Sequence, residues 1–270
     1  MFKIVQKALV LFTEYSLVVV LGVTASFVFF SKSVDLYLSF YDIVAPAYSL
    51  FLIYFFDHFF DNSHNPQRFK YIPSKNHPLI KPFFVFFSLG AVFLLFNVSE
   101  YFLLPGIVAI VFVAFYFLLL HYSSNNCLKY FKEFFIALVV TFVVTLMPMW
   151  VVGEFGFWYS FLFGLLCFQN TLFFSLIDNS IDLENNTPNL ISELGMSQVK
   201  NILLFISVFS FLIYLILFWV FGGFGRMEWM LFGMQMFFSV LSFLLYKKGF
   251  PYHSKITIDS MFLIPLAFSF

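Results

Sequence analysis

The sequence predicts an all-α fold: a single domain over residues 1–270 built as a bundle of about nine membrane-spanning helices. Three observations carry that expectation. The chain is 62% hydrophobic and only 10% charged, and its mean hydropathy is +0.95, a balance that a water-soluble domain of 270 residues does not have. Apolar runs of membrane length recur along the whole chain. The basic residues fall between alternate runs, as the positive-inside pattern requires. The 47 Phe add little beyond this, because Phe is an ordinary lipid-facing residue.

The runs lie near residues 9–31, 38–60, 83–99, 101–121, 134–152, 156–177, 201–221 and 227–246, with a shorter one at 257–270. The first follows Lys3 and Lys7 and resembles a signal peptide, but it is too long for one and no small-x-small cleavage site follows. It reads as the first span. Pro105-Gly106 and Gly222-Gly223 are read as marks of tight turns between spans. The run at 257–270 is short enough to lie tilted, half-inserted or at the interface.

Lys3, Lys7, Arg68, Lys70, Lys75, Lys81, Lys129, Lys132, Lys200, Lys247, Lys248 and Lys255 all fall on one side of this arrangement. Only Lys32 and Arg226 fall on the other. The expected topology therefore puts the N-terminus and the even-numbered loops in the cytoplasm. Cys127 and Cys167 have neither metal-ligand nor redox spacing and are read as inert.

The polar residues that stand out are two carboxylate pairs. Asp57 and Asp61 lie in YFFDHFFDN, and Asp178 and Asp182 in SLIDNSIDLENN; each is D-x-x-x-D at the end of an even-numbered span. Carboxylates four apart share one helix face, about 5–6 Å between Cβ atoms, and like charges that close call for a cation. A hard divalent ion such as Mg²⁺, shared with phosphate oxygens, is the usual one. Thr171 and Ser175 continue the second pair's stripe, and Tyr54 precedes the first pair at helical spacing. Arg68, Lys70 and Lys75 follow the first pair, while Lys129 and Lys132 occupy the next loop on that side. Acids with nearby Arg and Lys point to a metal-bridged phosphate or diphosphate, the cations neutralising oxygens that the metal leaves free. An ordinary helix-end charge reaching for water explains any one of these acids. It does not explain two identical pairs on one side. His58 and His64 have no partner His at helical spacing for a transition metal, and Asp42 and Glu14 need no special role at helix ends.

With these motifs the chain resembles the UbiA superfamily of intramembrane prenyltransferases. The matching features are the aspartate-rich end of the second span, the basic loop after it, and the D-x-x-x-D ending the sixth. TPNLISELG looks like the family's Thr-x-x-x-x-x-x-Leu-Gly stretch, and YSSNNCLKYFKEFFIALVVT, opening the fifth span, also has the family look. The fuller first motif reads N-D-x-x-D-x-x-x-D, where this chain has Ile53 and Tyr54 at the leading positions; Asn186 stands where the second motif often has a third Asp.

The resemblance implies a UbiA-like helical bundle that binds a polyprenyl diphosphate through Mg²⁺ and transfers the prenyl group to an aromatic or other hydrophobic acceptor within the bilayer. Asp57, Asp61, Asp178 and Asp182 would hold the metal, and Arg68, Lys70, Lys75, Lys129, Lys132 and Tyr54 would contact the substrate. The expected location is the inner (cell) membrane of a bacterium with the site loops cytoplasmic, and no nucleic-acid partner is expected. Two other readings stand beside this one. A non-catalytic member of the fold would bind an isoprenoid lipid without reaction. A cation transporter would use the two Asp pairs at related positions of a repeat, but such sites lie near the midplane, whereas these pairs end their spans.

Overall fold

The computed structural model describes residues 16–64, 78, 80–122, 132–153, 156–184, 190–248 and 254–268. Among them 91% are helical and none is in a strand, which settles the all-α class. Hydrocarbon offers no partner to a bare N–H or C=O, so helices that satisfy their own backbone are the expected form of such apolar runs. The helices are α1 (Leu17–Ser33), α2 (Phe40–His64), α3 (Ile80–Asn97), α4 (Glu100–Tyr122) and α5 (Lys132–Thr141). A π-helical segment, Phe142–Leu146, joins α5 to α6 (Met147–Val152) without a break. Then come α7 (Phe157–Glu184), a short α8 (Leu190–Leu194), α9 (Met196–Phe221) and α10 (Arg226–Lys248). The final run is α11 (Ser254–Asp259), a 3₁₀ turn (Ser260–Leu263) and α12 (Ile264–Phe268).

Four segments among the described residues are long and apolar enough to cross a membrane: Glu133–Val152, Phe157–Asn179, Met196–Val220 and Arg226–Leu244. Leu17–Ser33, Phe40–Phe56, Lys81–Asn97, Glu100–Tyr116 and Thr257–Phe268 are shorter apolar helices. Large apolar side chains remain exposed along α3, α4 and α9, Phe86, Phe96, Phe205 and Trp219 among them. Apolar surface on that scale is what a lipid-facing wall presents. This is a membrane protein.

The centre of the bundle is α1 and α7, with the C-terminal run packed beside them rather than spread over the surface. Ile258, Met261 and Phe262 are all buried, so the shortest apolar run of the sequence is core. Phe30 meets Phe163 edge-on at 5.5 Å, and Phe163 meets Phe262 at 6.1 Å. Gly22 lets α1 come this close: a Cβ there would stand 2.9 Å from the carbonyl carbon of Phe262 and closer still to its Cβ. On the other flank α2 packs on α1 and α3, and α4 packs on α5 and α6.

Pro105 and Gly106 lie inside α4, not in the turn before it. The break between α3 and α4 falls instead at Val98–Ser99 and is held by Asp42. That carboxylate is 1% exposed. It accepts from the Ser39 N–H at 2.8 Å, the Ser99 N–H at 2.8 Å and the Ser99 hydroxyl at 2.7 Å, while Ser39 Oγ accepts from the Asp42 N–H at 3.2 Å. Asp42 therefore completes a reciprocal cap on its own helix and caps a second one. The sequence reading that gave it no special role is corrected here: it pins the starts of α2 and α4 together.

The bundle has two distinguishable ends. Tyr159, in the first turn of α7, donates to Glu228 Oε1 in the first turn of α10 at 2.6 Å. Lys32 and Arg226, the two bases set apart by the charge pattern, line a cavity of about 470 Å³ beside that pair. Asp178 lies nineteen residues further along α7, about 28 Å away at 1.5 Å per residue.

Two stability outcomes follow from these contacts. Gly22→Leu forces α1 away from Phe262 and is expected to cost about 1–3 kcal/mol, read as a lower unfolding temperature in detergent. Asp42→Ala strips three buried donors of a charged acceptor and is expected to cost about 3 kcal/mol or more, with Asp42→Asn intermediate in the same measurement.

Candidate functional site

The Asp178 end of the bundle is built where α5 and α7 pack together. Ser175 lies one turn before Asp178 on the same face of α7. Its hydroxyl donates to Glu133 Oε1 at 2.6 Å, and the Thr171 hydroxyl reaches the Glu133 backbone carbonyl at 3.2 Å and that of Phe168 at 2.9 Å. The Thr171–Ser175 stripe thus faces α5 rather than an open mouth. Glu133 is 2% exposed, and its Oε2 has no hydrogen-bond partner among the described residues. Reading the sequence by its D-x-x-x-D repeats missed this residue. The available signal was an acid at the entry of a membrane segment, which marks a candidate by its cost alone.

The first pair belongs to the same end. Tyr54 packs half-buried against the core and lines a small cavity with Tyr116, Phe135 and Ile136, the last two on the turn beyond Glu133. Asp57 follows Tyr54 by one turn of α2, and Asp61 by two. Both D-x-x-x-D motifs therefore close their helices at one end of the bundle. The side chains of Asp57, Asp61, Asp182 and Lys132 lie outside the described residues, as do Arg68, Lys70, Lys75 and Lys129 altogether. Among the described residues, no three His, Cys, Asp or Glu side chains stand together as a metal site.

A second feature runs away from this end. Between α2, α3, α4 and the α5–α6 helix lies a cavity of about 420 Å³. Its walls are apolar almost throughout, with Leu52, Ile53 and Phe56 on α2, Ile110 on α4, and Val143 and Met147 at the π-helical segment. It extends along α2 from Asp42 to Phe56, fourteen residues or about 21 Å. Its upper limit is the residue before Asp57. Gly106 is on this wall, with no atom within 4 Å of where its Cβ would be.

After α7 the chain turns through α8 into α9. Gly195 joins them with φ 85° and ψ 150°, a conformation essentially confined to glycine, and donates its N–H to the Ile191 carbonyl at 2.7 Å. The glycine of TPNLISELG is thus a backbone requirement. Cys167 is buried and forms no disulfide among the described residues, and Cys127 lies outside them.

Compared with protein-family models, with curated proteins and with solved structures, the chain gives no match.

The cavity yields its own test. Gly106→Leu adds a side chain to open space, so the unfolding temperature is expected to stay within about 1 °C of the unchanged protein, since little packing is disturbed. Binding of a long apolar probe, followed by fluorescence, is expected to weaken about tenfold, roughly 1.4 kcal/mol.

Proposed function

We propose that this protein is an Mg²⁺-dependent intramembrane prenyltransferase of the UbiA type. It takes a polyprenyl diphosphate and passes the prenyl group to an aromatic or other hydrophobic acceptor. The observation that carries the reading is the relation of the cavity to α2: an apolar channel follows the helix and stops one residue short of Asp57. A substrate with a long hydrocarbon tail and a diphosphate head has that polarity. The arrangement of nine spans, the inner membrane of a bacterium and the cytoplasmic position of the acidic end belong to the same reading. Its support there is the charge pattern, together with the meeting of Lys32 and Arg226 at the far end.

The donor set fits the metal. Carboxylates are hard oxygen ligands of the kind magnesium takes, and at this end Glu133 has a buried oxygen without a donor among the described residues. Asp57, Asp61, Asp178 and Asp182 would hold the ion, which when bound neutralises charge on the departing diphosphate. The allylic carbon–oxygen bond breaks and the diphosphate leaves with the electron pair. Arg68, Lys70, Lys75, Lys129 and Lys132 would bind its remaining oxygens, Arg as a fork and Lys as a point charge. Phe56 lines the head of the channel and Tyr54 the small cavity beside it, where aromatic faces would stabilise an allylic cation. The acceptor ring carbon then forms the new bond and its proton passes to solvent.

A second reading has one observation in its favour. Ile53 and Tyr54 occupy the leading positions of the fuller acidic motif; Ile53 lines the apolar cavity, and Tyr54 packs on the core. A protein with that substitution can bind an isoprenoid lipid without ionising it.

Turnover separates the two. Purified protein with Mg²⁺, a polyprenyl diphosphate and a panel of aromatic acceptors is expected to release diphosphate and form a prenylated product. Asp57→Asn or Asp178→Asn, which keep shape and remove charge, are expected to lower the rate on the order of 10³-fold, about 4 kcal/mol. Diphosphate binding without turnover would favour the lipid-binding reading. Absence of both metal and diphosphate binding would overturn each of them.

A further inference from the structure

Glu133 is a deeply buried carboxylate with one oxygen to which no described residue donates. The residue is 2% exposed. Oε1 accepts the Ser175 hydroxyl at 2.6 Å, and Oε2 is buried with no hydrogen-bond partner among the described residues. Asp42, buried as deeply, has both oxygens satisfied by Ser39 and Ser99. An uncompensated buried carboxylate costs several kcal/mol. Glu133 is the second residue of α5, and the positive end of that helix offsets only about 0.3–1 kcal/mol. The helix dipole falls well short of that cost, and a cation beside the carboxylate would supply the rest.

The geometry says where. Ser175 is three residues before Asp178 on α7, so their Cβ atoms are about 5–6 Å apart on one face. A carboxyl group seated on Ser175 therefore approaches the Asp178 carboxyl across about one helical turn. A cation with oxygen contacts of about 2.0–2.1 Å on either side bridges such a gap. The Thr171 hydroxyl on the Glu133 carbonyl fixes the height of the acid against α7.

We propose that Glu133 is a fifth carboxylate of the divalent-cation site, with Oε2 a direct ligand of the ion held at Asp178. The inference rests on the metal-dependent reading given above, and it assigns to α5 a ligand that the paired motifs of α2 and α7 do not supply. Ser175 acts as a positioning residue, holding Oε1 so that Oε2 turns to the metal.

The test is Mn²⁺ binding to purified protein, followed by electron paramagnetic resonance, together with the unfolding temperature with and without the metal. Glu133→Gln keeps the acceptor for Ser175 and replaces the ligating oxygen by an amide nitrogen. It is expected to weaken Mn²⁺ binding about 100-fold and to abolish the metal-induced rise in unfolding temperature, with the temperature in chelator no lower than that of the unchanged protein. Glu133→Asp is expected to recover part of the affinity. Equal Mn²⁺ affinity in Glu133→Gln and the unchanged protein overturns the inference and leaves the wider reading standing. No Mn²⁺ binding by the unchanged protein overturns both. Should Glu133→Gln fail to fold, Ser175→Ala answers the same question. A loss of about tenfold in metal affinity supports the role, and an unchanged affinity overturns it.

Discussion

Lipid tails are as apolar as Phe or Leu, so burial alone gives the helices of this chain little reason to prefer one rotation or height over another. What distinguishes the native arrangement is a small set of hydrogen bonds inside an apolar bundle. Asp42 with Ser39 and Ser99 sets α2 against α4. Gln169 donates to Ser207 at 2.9 Å, and Ser207 lies 3.4 Å from the Ser242 hydroxyl, linking α7, α9 and α10 near mid-depth. Glu133 with Ser175 sets α5 against α7. Each of these groups loses water on burial, so a sliding or rotated helix would leave a bare donor or acceptor in hydrocarbon. The polar groups are few, and for that reason each one specifies a good deal.

Close approach does the complementary work. Gly22 against Phe262 brings the C-terminal run onto α1, and at Gly90 the Tyr48 ring crosses α3, its hydroxyl donating to the Phe87 carbonyl at 2.7 Å. Gly22 meets the backbone and Cβ of Phe262 and Gly90 the ring of Tyr48, and in both dispersion rather than water release holds the pair. Where such contacts are missing, between α2, α4 and the α5–α6 helix, the apolar cavity opens. The same flank therefore carries the feature on which the functional reading turns.

Most of the helical outline was legible in the sequence, because length and apolarity report the bilayer directly. Gly222-Gly223 was correctly a turn: Gly222 ends α9 with φ 69°. Pro105-Gly106 misled for a physical reason. A proline inside a helix removes one backbone hydrogen bond that the rest of a long helix can carry, and the real break at Ser99 is set by Asp42, far away in sequence. No local pattern contains that bond. Glu133 was hidden in the same way. In sequence it is one more charge at a helix entry; only the packing of α5 on α7 buries it. The D-x-x-x-D pairs were visible because repetition is a property of the string, whereas burial belongs to the folded chain.

The π-helical segment has a consequence for how this protein tolerates insertion and deletion. At about 100° per residue, one residue removed from a regular helix turns everything beyond it away from its neighbours. Phe142–Leu146 holds one residue more than an α-helix of the same rise, and the Thr145 hydroxyl covers the Thr141 carbonyl there at 2.8 Å. A single-residue deletion within those five positions would return the segment to ordinary α-helix. Glu133 would keep its face toward α7, and Trp150 would keep its own orientation. The same deletion in α5 or α6 would rotate one half against the other. The helix thus carries a built-in joint where its length can change by one without altering what either half presents.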